Sequence, residues 1–219
     1  MYKLAIFDMD GTILDTIQDL ANGVNHALTC MGMPTRTVEY VRSIVGNGIR
    51  TTLTLCAPQG ITEDELNSLH EAFTPFYEKH RTDNTGAYAG VKELLQKLRK
   101  DGIKTAVISN KSDESVKALC VEYFDGLFDM PRGLVEGVPK KPAPDSVNTI
   151  IEKFGVEKSE AVYIGDSEVD VQTAKNAGID GIFVTWGFRG REQLKENGAV
   201  VIADNTEEVY ILIKQQKGA

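Results

Sequence analysis

A short apolar run that stops at an acid constrains this chain more than any other feature of its sequence. Leu4-Ala5-Ile6-Phe7 contains no polar residue and is followed at once by Asp8. A continuous apolar run of this kind is typical of a parallel strand that is buried on both faces. Similar runs follow along the chain at 105–108, 161–164, 181–184 and 199–202.

Helical patterns separate these runs. Apolar residues recur at helical spacing in 91–98, 116–120 and 147–154 and around Ala174 and Ala177. Strands that alternate with helices predict a parallel sheet that is covered by helices on both faces. The predicted fold class is therefore α/β, with a doubly wound parallel sheet.

One long segment interrupts this alternation. Between Thr16 and His80 we find helical patterns and no convincing strand. The apolar stripes there are Leu20, Val24, Ala27, Leu28 and Met31, then Ile49, Leu53 and Cys56, then Leu66, Leu69, Phe73 and Phe76. We interpret residues 16–81 as a small helical domain inserted after the first strand, and residues 1–15 plus 82–219 as the α/β core.

The charge of the chain excludes some classes of partner. Its 219 residues carry a formal net charge of -8, and no run of Lys or Arg is longer than two. This argues against nucleic acid or an anionic membrane as the main partner. The N-terminus reaches acidic residues too early for a secretory signal, and no apolar run approaches the ~18 residues of a membrane span. We therefore expect a cytoplasmic protein, either a monomer or a homodimer.

Acids and hydroxyls follow three of the predicted strands. These segments are Asp8-Met9-Asp10-Gly11-Thr12, Ser109-Asn110-Lys111, and Gly165-Asp166-Ser167 with Asp170 close behind. Ligands of parallel α/β sheets bind in the crevice at the carboxyl ends of the strands. The three segments are therefore expected to converge on one site.

Several carboxylates in one crevice are unfavourable unless a cation compensates them. The available ligands are oxygens, without His or Cys nearby, and this set suits Mg²⁺. Ser109 and Asn110 could donate hydrogen bonds to a phosphate. Lys140-Lys141-Pro142-Ala143-Pro144 could supply a cation on a loop that its prolines stiffen.

Each segment also has an ordinary structural interpretation. Asp10-Gly11 is a common turn sequence. Asp166 and Asp170 could cap the next helix at its N-terminus. Lys140 and Lys141 could be a solvated basic pair. Their occurrence together at successive strand ends favours a functional site.

The same segments resemble the four motifs of the haloacid dehalogenase-like hydrolase superfamily. The first is Asp8-Met9-Asp10-Gly11-Thr12, the second Ile108-Ser109-Asn110, the third Lys141-Pro142-Ala143-Pro144 and the fourth Gly165-Asp166-Ser167-Glu168-Val169-Asp170. They occur in the order and spacing of the family. The helical segment lies where the family's first type of cap domain is inserted.

The resemblance implies a role for each motif residue. Asp8 would be a nucleophile that forms an aspartyl-phosphate, and Asp10 a general acid and then a general base. The implied metal ligands are Asp8, the Asp10 carbonyl and Asp166, with Asp170 one shell further out. The residues implied to position the phosphoryl group are Gly11, Thr12, Ser109, Asn110 and Lys141.

The helical segment adds an expectation about substrate. Its loop Gly46-Asn47-Gly48 resembles that of phosphoglycolate phosphatases, so these residues are candidates for substrate binding. Arg50 could bind a substrate carboxylate or lie on the solvent face of its helix. The resemblance implies a Mg²⁺-dependent hydrolase of small phosphate monoesters, with phosphoglycolate as the leading substrate. Three alternatives remain open: a β-phosphoglucomutase-like phosphosugar mutase, a pyrophosphatase, and a phospho-accepting signalling module.

Overall fold

The computed structural model describes residues 1–215 and contains two compact units. One unit comprises Met1–Leu14 and the chain from Ala87 onward, and the other comprises Asp15–Gly86. The sequence placed the inserted segment at 16–81, so the observed unit extends slightly further at both ends. Among residues 1–215, no helix combines the length and the apolar character needed to cross a membrane.

Strands and helices alternate through the first unit. The strands within residues 1–215 are β1 (Leu4–Phe7), β2 (Leu14–Asp15), β3 (Gly86–Ala87), β4 (Lys104–Ser112), β5 (Met130–Leu134), β6 (Ala161–Gly165), β7 (Asp180–Val184) and β8 (Ile202–Ala203). The α-helices are α1 (Ile17–Cys30), α2 (Val38–Ile44), α3 (Ile49–Cys56), α4 (Glu63–His80), α5 (Val91–Lys100), α6 (Asp113–Phe124), α7 (Asp145–Phe154), α8 (Glu168–Ala177), α9 (Arg191–Glu196) and α10 (Thr206–Gln215).

Six strands form one parallel sheet in the order β5-β4-β1-β6-β7-β8. Strand β1 is central and fully buried, with Leu4 opposite Lys104 on one side and Ala161 on the other. Because the three central strands run in the same direction and in register, the residues that follow them meet at one edge of the sheet.

Helices cover both faces of this sheet. Ala5 and Phe7 of β1 belong to an apolar cluster with residues of α5, α6 and α10, whereas Leu4 and Ile6 belong to a second cluster with residues of α7 and α8. Side chains that alternate between the faces of a strand produce this division. The predicted α/β fold with a doubly wound parallel sheet is therefore confirmed.

The second unit contains helices α1 to α4, and the prediction of an inserted helical segment is confirmed. Helix α1 packs closely on α4, because a Cβ added at Gly23 would lie 2.7 Å from the ring of Phe73. Helix α4 begins with a capping box, in which Thr62 and Glu65 exchange side-chain-to-backbone hydrogen bonds. Helix α2 was not predicted.

Two edge strands differ from the sequence prediction. Strand β5 was not predicted, and its sequence Met-Pro-Arg-Gly-Leu explains why, since proline and glycine are rare in strand interiors. The run 199–202 contributes only its last residue to β8 (Ile202–Ala203), and the Val200 side chain is 91% exposed. The apolar run 199–202 therefore predicted a longer edge strand than the structure contains.

Candidate active site

The loop after β1 places Asp8 at the carboxyl edge of the sheet. The Asp8 backbone N–H donates to Ile164 O of β6 (2.8 Å), and this bond extends the strand pairing by one residue. The Asp8 side chain is buried, and its Oδ1 accepts a hydrogen bond from Met9 N (2.7 Å). Gly11 has a φ of 86°, and a Cβ at this position would lie 2.3 Å from Asp166 Oδ2. Only glycine allows the loop to approach Asp166 so closely.

Lys141 is the cation that contacts Asp8 and Asp170. Its Nζ lies 2.7 Å from Asp8 Oδ1, 2.8 Å from Asp170 Oδ1 and 3.1 Å from the Tyr163 hydroxyl. The residue is 4% exposed, whereas Lys140 is exposed. Of the two lysines in this loop, Lys141 is therefore the buried one, and it contacts Asp8 and Asp170.

Asn110 fixes the loop that carries Lys141. Its side-chain oxygen accepts from Lys141 N (2.9 Å), and its side-chain amide donates to Lys141 O (3.0 Å). These paired bonds connect the end of β4 to a loop 31 residues away along the chain. The side chain of Asn110 thus positions Lys141, and its predicted phosphate contact stays a prediction.

Asp170 accepts hydrogen bonds at both carboxylate oxygens. Oδ2 accepts from the Ser167 hydroxyl (2.6 Å), Ser167 N (3.1 Å) and Asp166 N (3.2 Å). Oδ1 accepts from the Tyr163 hydroxyl (3.0 Å) and contacts the Lys141 ammonium. Asp170 is fully buried in the first turn of α8, so it caps this helix and also binds Lys141.

Asp166 is held from two sides. Its Oδ1 accepts from the Thr12 hydroxyl (2.8 Å), and its Oδ2 accepts from Phe188 N (2.8 Å) in the loop after β7. That loop packs tightly here, because a Cβ at Gly187 would lie 2.3 Å from Gly11 O and 2.4 Å from Asp166 Cβ. The Trp186 indole donates to Thr12 O (3.0 Å).

The electrostatics of the site follow from its burial. Burial raises the pKa of Asp8 well above its usual range, and the charge of Asp170 adds to this effect, although Lys141 opposes it. Burial and the Asp170 charge raise the pKa of Asp166 to about 7. Burial also disfavours ionisation of Asp170, but the Lys141 ammonium and several hydrogen bonds outweigh it and hold the pKa of Asp170 below its usual value.

Three of these acids can hold a metal ion. Asp8, Asp166 and Asp170 each offer a carboxylate oxygen, and these oxygens lie within 4.8 Å of one another. Besides burial, the charge of Asp170 raises the pKa of both Asp8 and Asp166, so the carboxylates repel one another even with Lys141 present, and a divalent cation would relieve this repulsion. The all-oxygen set fits a hard ion. Since five donors already contact Asp170, Asp8 and Asp166 are the better direct ligands.

Asp10 and Ser109 lie at the same edge of the sheet. Lys111 Nζ lies 3.3 Å from Asp10 Oδ1, and the two side chains are 7% and 18% exposed. The Ser109 hydroxyl is buried and accepts from Lys111 N (3.2 Å). The first, second, third and fourth motif segments therefore lie together in the α/β unit.

The sequence pattern of the haloacid dehalogenase-like hydrolases matches residues 5–184, and this span contains all four segments. The chain belongs to this family. Proteins of this family align with most of the chain. It is 37% identical over 212 residues to a phosphoglycolate phosphatase of Pseudomonas savastanoi, covering 92% of this chain and 76% of that protein. It is 31% identical over 218 residues to a phosphoglycolate phosphatase of Vibrio parahaemolyticus, covering 96% of both chains.

A solved structure of the same family has the same fold. A crystal structure from Lactobacillus delbrueckii, that of a candidate phosphoglycolate phosphatase, superposes with a TM-score of 0.93 at 39% identity. The superposition covers 97% of this chain and 98% of that one. Both units of the haloacid dehalogenase-like chain therefore have counterparts in a solved relative.

The candidate residues of the inserted unit lie in the loop between α2 and α3 and in the first turn of α3, which contains Arg50. Gly46 and Gly48 have φ values of 134° and 84°, which are strained for residues other than glycine. Asn47 lies between them, and Gly48 caps the N-terminus of α3. The Arg50 guanidinium pairs with the Glu63 carboxylate of α4 and is 44% exposed. A substrate contact of these four residues stays a prediction.

The sequence analysis gave no role to two polar partners of the site. Tyr163 lies in the apolar run of β6, where a buried phenol needs a hydrogen-bond partner, and this was the available signal. Lys111 follows Ser109-Asn110 directly, but nothing in the sequence indicated that its ammonium would be buried beside Asp10.

Proposed function

We propose that this protein is a Mg²⁺-dependent phosphatase that hydrolyses small phosphate monoesters through an aspartyl-phosphate on Asp8. The observation that carries the proposal is the buried contact of Asp8 with Lys141, beside the carboxylate of Asp166. An acid nucleophile, a fixed cation and a metal-binding carboxylate in one crevice are the groups that phosphoryl transfer needs.

The contacts of Asp8 favour one of its oxygens as the nucleophile. Both Met9 N and Lys141 Nζ contact Oδ1, so Oδ2 is the oxygen for attack on phosphorus. In the first step Oδ2 forms a bond to phosphorus, the bond from phosphorus to the ester oxygen breaks, and Asp10 gives a proton to the departing alkoxide. Lys141, Ser109 and Thr12 would bind and orient the phosphoryl oxygens in this step.

The second step regenerates Asp8. Asp10 accepts a proton from a water molecule, the water oxygen bonds to phosphorus, and the bond from phosphorus to Oδ2 breaks to release phosphate. Mg²⁺ held by Asp8 and Asp166 would offset the charge of the phosphoryl group. Asp170 would keep Lys141 in place through its contact with Nζ (2.8 Å).

Phosphoglycolate is the substrate that we propose first. The two relatives described above carry the name phosphoglycolate phosphatase and align with almost the whole of this chain. We further propose that Gly46, Asn47, Gly48 and Arg50 help to select it. The enzyme would act in the cytoplasm on small phosphorylated metabolites, as a monomer or a homodimer, without nucleic acid or membrane.

Release of phosphate from a panel of phosphorylated metabolites tests the proposal. We expect turnover of phosphoglycolate with Mg²⁺ and none after chelation of the metal. Asp8→Asn should lower kcat at least roughly a thousandfold, since it removes the nucleophile. Asp64→Asn, which alters an exposed acid of α4, serves as the matched control. Metal-independent turnover, or full activity of Asp8→Asn, would refute the proposal.

A further inference from the structure

Lys111 is a buried cation whose role the mechanism above leaves open. It follows Ser109 and Asn110 at the end of β4, and its side chain is 7% exposed. Transfer of an ammonium out of water is unfavourable unless an opposite charge compensates it. Asp10 supplies this charge, with 3.3 Å between Lys111 Nζ and Asp10 Oδ1.

The backbone of Lys111 is also fixed. Its N–H donates to the Ser109 hydroxyl (3.2 Å), so the backbone that carries the ammonium is anchored in β4. Asp10 lies on the loop after β1 and is the more exposed member of the pair, at 18%. The lysine is therefore the more buried member of this ion pair, and its backbone is anchored at the strand end.

An acid–base group must lie within hydrogen-bond reach of the oxygen that it protonates, and displacement by about 1 Å can cost roughly a hundredfold in rate. The Asp10 side chain can rotate about two bonds, so its carboxylate needs a partner to stay in that position. We propose that Lys111 is a positioning residue that holds the Asp10 carboxylate on the leaving-group side of the site. This role rests on the proposed function, because it acts on a proton transfer of that reaction.

A double-mutant cycle tests this role. Lys111→Met should lower kcat/KM for phosphoglycolate by about 10- to 100-fold, because Asp10 loses its fixed partner. In the Asp10→Asn background, the same substitution should change kcat/KM by less than about twofold, since the group to be positioned is already gone. Phosphate release is followed over hours so that slow variants remain measurable.

Two further variants separate positioning from folding. Lys111→Arg keeps the charge with a different reach, and we expect it to recover part of the loss seen with Lys111→Met. Lys117→Met removes a lysine that is 59% exposed and pairs with Asp113 on α6, and it should leave kcat/KM unchanged. Thermal midpoints of all variants show whether the fold is retained.

The results that overturn the role are distinct from those that overturn the phosphatase. An equal loss in both backgrounds would show that Lys111 acts on the phosphate or on the fold and not through Asp10. Turnover that Lys111→Met leaves unchanged or increases would also overturn the role alone. Absence of turnover in the unmodified protein would overturn the proposed function, and with it this role.

Discussion

Asp170 shows how one buried acid can hold several groups of a site in place. It accepts from three donors at the start of α8, from Tyr163 and from Lys141, and it is completely buried. A charged pair in such surroundings stabilises the fold only while both partners are present, because a single buried charge is strongly unfavourable. The stability of the protein and the position of Lys141 therefore depend on the same carboxylate.

Asp170→Asn should destabilise the protein by about 3 kcal/mol, because it leaves the buried Lys141 ammonium with less compensation. It should also lower kcat, since Lys141 loses one of the two acids that hold it. Urea unfolding measures the first effect and phosphate release the second. Glu192→Gln removes an acid that is 77% exposed and should change stability by less than about 0.5 kcal/mol. Equal stability of Asp170→Asn and the unmodified protein would contradict this account.

The raised pKa of Asp166 predicts that metal affinity increases with pH. Burial and the Asp170 charge raise this pKa to about 7, so a proton competes with the metal below that pH. We expect Mg²⁺ to bind more tightly at about pH 8 than at about pH 6, by up to tenfold per pH unit below the pKa. Trp186, the single tryptophan of the chain, donates to Thr12 O beside Asp166, so its fluorescence can follow the titration. An affinity that is independent of pH in this range would refute the assignment of Asp166 as a ligand.

The same pKa has a consequence for the metal-free protein. A raised pKa means that folded Asp166 retains its proton at pH values where the unfolded residue has lost it. The folded state then binds more protons than the unfolded state between about pH 4 and about pH 7, so the free energy of unfolding should decrease as pH rises through that range. Thermal unfolding in chelator at several pH values checks this, and an increase in stability across the range would contradict it.

At the scale of elements, the site is assembled by loops at the carboxyl edge of the sheet. The loops after β1 and β6 and the carboxyl end of β4 carry residues that the sequence indicated, and the loop after β7 adds Gly187 and Phe188. The Phe188 N–H holds Asp166 Oδ2 at 2.8 Å, and the tight packing of Gly187 fixes the position of that N–H. Metal binding should therefore depend on a loop that contributes no acid of its own to the site.

Gly187→Ala tests the contribution of this loop. The added Cβ would lie 2.3 Å from Gly11 O, so the loop must move and the Phe188 N–H must leave Asp166. We expect a loss of about 1–3 kcal/mol in stability, and half-maximal activity at a Mg²⁺ concentration at least roughly tenfold higher. Gly190→Ala is the matched control, because a Cβ at Gly190 meets no atom within 4 Å. Similar metal affinity in both variants would contradict the role of the loop.

The meeting of several segments at one edge of the sheet could be predicted because strand ends have a simple sequence signature. A buried run followed by an acid, as at Phe7-Asp8, identifies both the strand and the residue at its carboxyl end. The loop that contains Lys140 and Lys141 was a candidate source of a cation, but the choice of Lys141 over Lys140 came only from the family resemblance. The buried pairing of Lys111 with Asp10 was not predictable, because burial of a lysine depends on tertiary packing. Strand β5, with proline and glycine, likewise had no local signal.

At the scale of the whole molecule, the chain leaves the α/β unit once and returns once. Asp19 of α1 connects the two ends of the inserted unit, because its buried carboxylate accepts from Asn84 N, Asn84 Nδ2, Thr85 N and the Thr85 hydroxyl. These bonds hold the start of α1 to the segment that precedes β3. A single acid therefore holds together the first helix and the last segment of the inserted unit.

Asp19→Asn should destabilise the protein by about 2 kcal/mol, because an amide group replaces one of the two oxygens that accept these hydrogen bonds. Thermal or urea unfolding measures the loss. Asp64→Asn, at an exposed position in the first turn of α4, should cost less than about 0.5 kcal/mol. An equal effect of the two substitutions would show that the Asp19 contacts contribute little to the stability of the protein.

We expect Asp8 to be the residue that becomes phosphorylated. Asp10→Asn removes the acid of the first step and the base that activates water in the second. With an aryl phosphate, whose leaving group needs no protonation, only the second step should be slow, so phosphate should accumulate on the enzyme. The decisive measurement is mass spectrometry of acid-quenched protein after incubation with an aryl phosphate and Mg²⁺. We predict one added phosphoryl group on the peptide that contains Asp8 in the Asp10→Asn variant, and none when Asp8 is also replaced by Asn. A phosphoryl group on another residue, or substrate turnover that survives replacement of Asp8, would contradict the account.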